Sequence, residues 1–93
     1  MKIIFTNGCF DILHRGHLEL FAYAKSLGDK LVVGVDSDQK VKKDKGPDRP
    51  INSLLDRMVM LASLIDIDEV HSFDSPEGLV SLVRTVSPSV MIV

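Results

Sequence analysis

Apolar positions along this 93-residue chain fall into short runs divided by polar turns, and two kinds of spacing alternate. Lys2-Ile3-Ile4-Phe5-Thr6 is rich in β-branched and aromatic residues and ends at Asn7-Gly8. That is the pattern of a buried strand running into a turn. Leu18, Phe21, Ala22, Ala24 and Leu27 then follow helical spacing until Gly28-Asp29 stops them. Residues 30–35 are almost continuously apolar, as a strand buried on both faces would be, and they run into Asp36-Ser37-Asp38, a capping cluster that opens a short helical turn. The polar stretch 42–50, with two prolines, reads as a loop. Asn52 or Ser53 then caps a helix carrying Leu54, Leu55, Met58, Leu61, Ala62 and Leu64. A third, weaker strand is expected over residues 69–73. Ser75-Pro76-Glu77 opens a helix to about Val86, Ser87-Pro88 breaks it, and residues 90–93 form a fourth strand. Met58, Met60 and Met91 read as core filler.

Strand–helix alternation of this kind predicts an α/β fold, a Rossmann-like open parallel sheet with right-handed crossovers and helices on both faces. In such sheets ligands sit outside the carboxyl ends of the strands near the topological switch point, which makes the end of the first strand the candidate site. No linker-like stretch divides the chain, so residues 1–93 read as one domain.

Composition narrows the class. A hydrophobic share of 45% rules out a disordered chain, and no apolar run reaches the roughly 20 residues of a bilayer span. One Cys gives no internal disulfide, and the N-terminus meets Gly8 and Asp11 too early for a signal-peptide core, so the expected compartment is the cytoplasm. A net charge of −2 argues against a nucleic-acid partner. The charge is uneven, however: Lys40, Lys42, Lys43, Lys45 and Arg49 face only Asp44 and Asp48 within one decade of residues. A local cationic segment in an acidic chain suits a small anionic ligand, or simply a solvated loop.

The stretch from Thr6 to His17 carries the most chemistry. It joins the first strand to the first helix, where a phosphate can meet backbone N–H groups at a helix N-terminus. Gly8 lets the chain turn, and Gly16 allows close backbone approach. His14 and His17, three residues apart, share one face once the helix has begun and can donate hydrogen bonds to phosphate oxygens. A zinc site is the competing reading, but it needs three or four protein ligands, and Cys9, Asp11 and distant His71 match no such spacing. No protein-ligated zinc is expected.

Gly8-Cys9-Phe10-Asp11-Ile12-Leu13-His14-Arg15-Gly16-His17 resembles the signature G-x-F-D-x-x-H-x-G-H of the cytidylyltransferase-like nucleotidyltransferases. The resemblance continues through residues 24–29, Asp36-Ser37-Asp38, residues 45–52 and Asp56-Arg57-Met58. The Lys-Gly-x-x-Arg-Pro-x-Asn segment is most similar to the adenylyltransferase domain of bacterial ADP-heptose synthases, with glycerol-3-phosphate cytidylyltransferases and archaeal FAD synthetases as near relatives. It implies transfer of NMP from an NTP, ATP before CTP, to a phosphorylated sugar such as heptose 1-phosphate, with Mg²⁺ accompanying the NTP. It further implies His14, His17 and Lys45 as catalytic residues. Thr6, Asn7, Gly8, Phe10, Gly16, Lys42 and Arg57 would join them around the nucleotide, with Asp11 near the acceptor or the Mg²⁺. Arg49 would serve the acceptor phosphate or pair with Asp48. Family members run longer than this chain and carry further nucleotide-binding motifs after the fourth strand, so the sequence reads as a domain incomplete at its C-terminal side. Homodimers are common among them, so self-association is expected. Two alternatives accompany this reading: a CTP:glycerol-3-phosphate cytidylyltransferase, and a nucleotide-binding module without catalysis. Cys9 and Arg15 occupy variable positions of the signature, and the acidic group Asp66, Asp68 and Glu69 reads as solvated.

Overall fold

A computed structural model describes residues 1–92. Val93, expected to finish the last strand, lies outside the described residues. Four parallel strands form one sheet: β1 (Ile3–Gly8), β2 (Lys30–Asp36), β3 (Glu69–Phe73) and β4 (Val90–Ile92), in the order β3-β2-β1-β4. Helix α1 (Arg15–Ser26) links β1 to β2, α2 (Asp38–Lys45) and α3 (Leu54–Ala62) lie between β2 and β3, and α4 (Pro76–Val86) returns the chain to β4. The chain thus steps outward from β1 to β3 and then crosses back to the far side of β1. The switch point falls between β1 and β4.

Side chains alternate across the strands, and the register sorts them onto two faces. Ile4 pairs with Leu31 and Val90, and Thr6 with Val33 and Ile92. These point toward α1 and α3, where Ile4, Phe21, Ala24, Leu31, Val33, Val35, Leu61 and Ile67 form the core. The opposite face presents Phe5 and Val32, buried like Val41 of α2, and α4 covers it with Leu82 and Val86 beside Ile3 and Val32. Burying a Phe, Leu or Ile completely contributes roughly 1.5–3 kcal/mol, so β2, buried over Leu31–Val35 on both faces, anchors the sheet.

Three departures from the sequence expectation stand out. The polar stretch expected to be loop is helical through Lys45. Its signal is not an apolar stripe: Ser37 Oγ caps Lys40 N at 3.2 Å, Lys40 pairs with Asp44 one turn on, and three lysines complement the C-terminal dipole. Met60 and Met91 are not core filler. They are 58% and 46% exposed: Met91 lies on the edge strand β4, while Met60 with Leu55 and Val59 leaves the outer side of α3 apolar and uncovered. The acidic group is not simply solvated either: Asp68 binds Lys25 Nζ and the Leu31 amide, and Glu69 pairs with Lys30 and His71. No helix among the described residues is long and apolar enough to cross a membrane.

Candidate functional site

At the carboxyl end of β1 the chain leaves the sheet through residues 9–14 and enters α1, and a pocket of about 430 Å³ opens there. Thr6, Asn7, Gly8, Phe10, Asp11, His14, His17, Lys45 and Arg49 line it, so the first strand, the signature loop, the start of α1, the end of α2 and the following loop all converge. The volume lies within the usual range for small-molecule sites.

The two histidines cap the helix with each other's help. His14 is the N-cap: its Nδ1 accepts the Gly16 N–H at 3.0 Å, and His17 Nδ1 accepts the His14 N–H at 3.2 Å. The arrangement is a capping box built from imidazoles in place of hydroxyl and carboxylate. With Nδ1 accepting on both rings, the neutral tautomer carries its hydrogen on Nε2, which remains free to donate. The rings stack with centroids 3.9 Å apart, and the edge-on Phe10 ring holds His17 at 5.4 Å. Burial, then the neighbouring His14, holds the His17 pKa below 6.5. Gly16 is explained by the same geometry: a Cβ there would sit 2.8 Å from His14 Cε1 and drive the ring off the cap. Gly8 serves Phe10 likewise, since a Cβ at Gly8 would meet the Phe10 ring at 3.0 Å. Phe10 itself is held at φ 50°, a conformation rare for a bulky residue, and packs on Phe21.

Asp11 is 5% exposed and engaged through both carboxylate oxygens and its carbonyl. Its Oδ2 accepts from Arg49 Nε at 2.9 Å and Ile51 N at 2.8 Å, its Oδ1 from Asn52 N at 2.8 Å, and its carbonyl from Asn52 Nδ2 at 2.6 Å. Burial raises the Asp11 pKa, but the amides of Asn52 and Ile51 together with Arg49 outweigh it, and the carboxyl lies below its usual range. Arg49 therefore pairs with Asp11, not with Asp48. Asn52 is not the helix cap, a role Ser53 takes.

Arg57 is placed differently from the other cations. Its side chain has no exposure, and it donates to Asn52 O, Cys9 O, Asp36 O and Asp38 Oδ1 at 2.7–3.1 Å. It lines the adjoining pocket with Leu55, Val59 and Met60, away from the histidines, and staples three loops at the carboxyl end of the sheet. Lys42 is exposed and does not line the histidine pocket, whereas Lys45, one turn further on, does. Thr6 Oγ1 is committed to Ile92 O at 3.0 Å, which joins β1 to β4 beneath the site. Sequence reasoning did not single out Asn52 and Asp38 as partners, because their contacts to Asp11 and Arg57 span about forty and nineteen residues. Among the described residues no group of three or more His, Cys, Asp or Glu side chains comes together as a metal site.

A 3-2-1-4 parallel sheet with a histidine-capped helix and a cationic pocket at its switch point defines a Rossmann-like domain with an anion-suited site. Comparison with known proteins makes the assignment specific. The chain belongs to the cytidylyltransferase-like family, whose sequence model matches residues 5–93. Among curated relatives it is 54% identical over 85 residues to the bifunctional protein HldE of a Nitratiruptor species, covering 89% of this chain and 18% of that protein. It is 48% identical over 93 residues to the bifunctional protein HldE of Helicobacter hepaticus, covering 98% and 19% respectively. The chain thus spans about a fifth of the length of these relatives. The crystal structure of the lipopolysaccharide core biosynthesis protein from Thermoplasma volcanium is similar with a TM-score of 0.85 and 30% identity, over 98% of this chain and 72% of that one.

Proposed function

We propose that this domain transfers a nucleoside monophosphate, AMP in preference to CMP, from an NTP to a small phosphorylated sugar such as heptose 1-phosphate. An oxygen of the acceptor phosphate forms a bond to the α-phosphorus. The bond from that phosphorus to the bridging oxygen breaks, and its electron pair leaves with pyrophosphate. The observation that carries the reading is the reciprocal histidine cap. Both rings line the pocket, and both have Nδ1 occupied, so each offers an Nε2–H to the phosphate oxygens on which charge builds. Lys45 adds a mobile positive charge from the end of α2, and α1 adds the positive end of its dipole. Held in this way, reactants gain mainly from positioning and electrostatics, and no covalent enzyme intermediate is needed.

Mg²⁺ enters with the NTP and supplies charge neutralisation at its phosphates. The acidic side chain of the lining, Asp11, already accepts from three donors, so the ion would be held by the NTP phosphates and not by this carboxylate. The preference for AMP and for a sugar phosphate rests on the Lys45–Asn52 segment and on the HldE relatives. The exposed apolar side of α3 supports self-association.

Titration calorimetry with ATP and CTP in the presence of Mg²⁺, beside a pyrophosphate-release assay with sugar 1-phosphates, tests the reading. ATP is expected to bind more tightly than CTP, and His17→Ala to lose turnover far beyond any loss of acceptor affinity. Tighter CTP binding with turnover on glycerol 3-phosphate would move the assignment to that cytidylyltransferase. Nucleotide binding without pyrophosphate release on any acceptor would leave a binding module.

A further inference from the structure

Arg49 and Asp11 stand in an unusual relation within the pocket. Arg49 is the one arginine lining it, and its Nε is fixed by a carboxylate whose side chain is only 2% exposed. The two terminal guanidinium nitrogens make no hydrogen bond among the described residues, and the side chain stays 37% exposed. A guanidinium held at Nε and open at its far edge is a preformed fork for phosphate. The segment carrying it belongs to no helix or strand, and what holds it is Asp11: the same carboxylate takes the amides of Ile51 and Asn52, and Asn52 Nδ2 returns a bond to the Asp11 carbonyl. Three donors occupy three of the roughly four lone-pair sites of the Asp11 carboxylate and leave it poorly suited to bind a metal ion.

We infer that Asp11 is a positioning residue, whose carboxylate latches the loop of residues 49–52 onto the signature loop and so aims the terminal nitrogens of Arg49 at a second anion, the phosphate of the acceptor. The inference rests on the nucleotidyltransferase reading and assigns the acceptor end of that same pocket. The histidines and Lys45 then take the triphosphate while Arg49 takes the attacking phosphate, which separates the two anions by residue.

The test uses the intact chain saturated with a non-hydrolysable ATP analogue and Mg²⁺, with inorganic phosphate as the second-anion probe in calorimetry. Wild type is expected to bind phosphate in the presence of the analogue. Arg49→Gln and Asp11→Asn should each weaken phosphate binding about tenfold or more, the scale of a lost charge-assisted hydrogen bond. The double variant should be no worse than either alone. Affinity for the analogue should fall far less than affinity for phosphate in both variants, a selectivity that a general loss of structure would not produce. Additive effects, or equal losses for both ligands, overturn the latch. Loss confined to the Mg²⁺ dependence of analogue binding in Asp11→Asn also overturns it and makes Asp11 a metal ligand. If wild type binds neither nucleotide nor phosphate, the parent reading falls and the inference with it; if it binds the analogue alone, only the inference falls. Should Asp11→Asn not fold, hydrogen exchange in the wild type decides the latch. Ile51 is 64% exposed and outside any element, and among the described residues Asp11 is the acceptor of the Ile51 and Asn52 amides, so slow exchange there reports Asp11 and free exchange at both refutes it.

Discussion

Replacing His14 by Asn separates two roles that one imidazole combines. As the N-cap, His14 accepts a hydrogen bond from Gly16 N through Nδ1, and as a pocket residue it presents Nε2–H. An Asn side-chain oxygen lies where Nδ1 does and is among the best N-caps, whereas nothing in Asn reaches the position of Nε2. His14 is exposed, so neither Asn nor Ala opens a core cavity. Losing the cap in His14→Ala should cost about 1 kcal/mol, which in a domain of this size lowers Tm by about 4–8 °C. His14→Asn should keep Tm within a degree or two of wild type. Both variants lose a hydrogen bond to a charged phosphate, worth about 1.5–3 kcal/mol, and should bind ATP–Mg²⁺ roughly ten- to a hundredfold more weakly. Differential scanning fluorimetry and calorimetry on the same preparations read the two quantities separately. If His14→Asn lost as many degrees as His14→Ala, the cap assignment would be wrong. If it bound ATP like wild type, the Nε2 donor would have no part in binding.

Arg57→Met should lower the urea midpoint by the equivalent of about 3–5 kcal/mol, because the carbonyls of Cys9, Asp36 and Asn52 lose their donor together; a variant that folds normally and loses only ATP affinity would return Arg57 to the nucleotide. Arg57→Lys should not rescue it, since an ammonium cannot fork to four acceptors. With the folded pKa of His17 held below 6.5, the unfolded chain binds more protons in the interval between the two values, so stability should fall as pH drops through that window. His17→Asn should remove this loss while leaving the later one, in which Asp11, Asp68 and Glu69, all lowered in the folded state, become protonated; equal midpoint losses between about pH 7 and 5.5 in both proteins would refute the assignment. Val59→Asp, placing a charge on the apolar side of α3 beside Leu55 and Met60, should convert a self-associating chain to monomer in sedimentation velocity, and a monomeric wild type at about 100 µM would dismiss that surface.

The order of strands and helices was legible because it rests on local patterns: continuous apolar runs at β1 and β2, Pro after a serine cap at α4, glycine after α1. Helix α2 was legible only at its start, where Asp36-Ser37-Asp38 signals a cap; its run to Lys45 was not, since an 8-residue helix with one buried side chain, Val41, offers periodicity nothing to find. Met60 misled for a related reason. Helical spacing identifies an apolar stripe, but α3 carries apolar residues on more than one side, and only packing shows that Leu61 faces the core while Leu55 and Met60 do not. Within the site, the glycine-flanked histidine pair was legible from residues ten apart at most, and the structure adds that Gly16 is required by the ring of His14 itself.

The two arginines show where spacing stops being informative. Both lie in segments that resemble phosphate-binding elements, and by residue type they are interchangeable. The fold separates them by the number of donors each has left. Arg57, without exposure, spends Nε, one terminal nitrogen twice and the other once on acceptors as far as 48 residues away, so four of its five N–H donors are held within the scaffold. Arg49 spends Nε alone, on a carboxylate 38 residues away, and keeps its far edge at the pocket wall. Partnerships over such separations leave no trace in a local pattern, yet they decide which cation is spent within the scaffold and which keeps open donors at the pocket wall. The same logic applies to the acids. Asp11 is the acidic residue of the signature, but three donors convert it from a free charge into the support on which Arg49 rests. On the proposed function, the phosphate site is therefore built in two layers: cations with open donors in front, and buried ion pairs behind that hold them there.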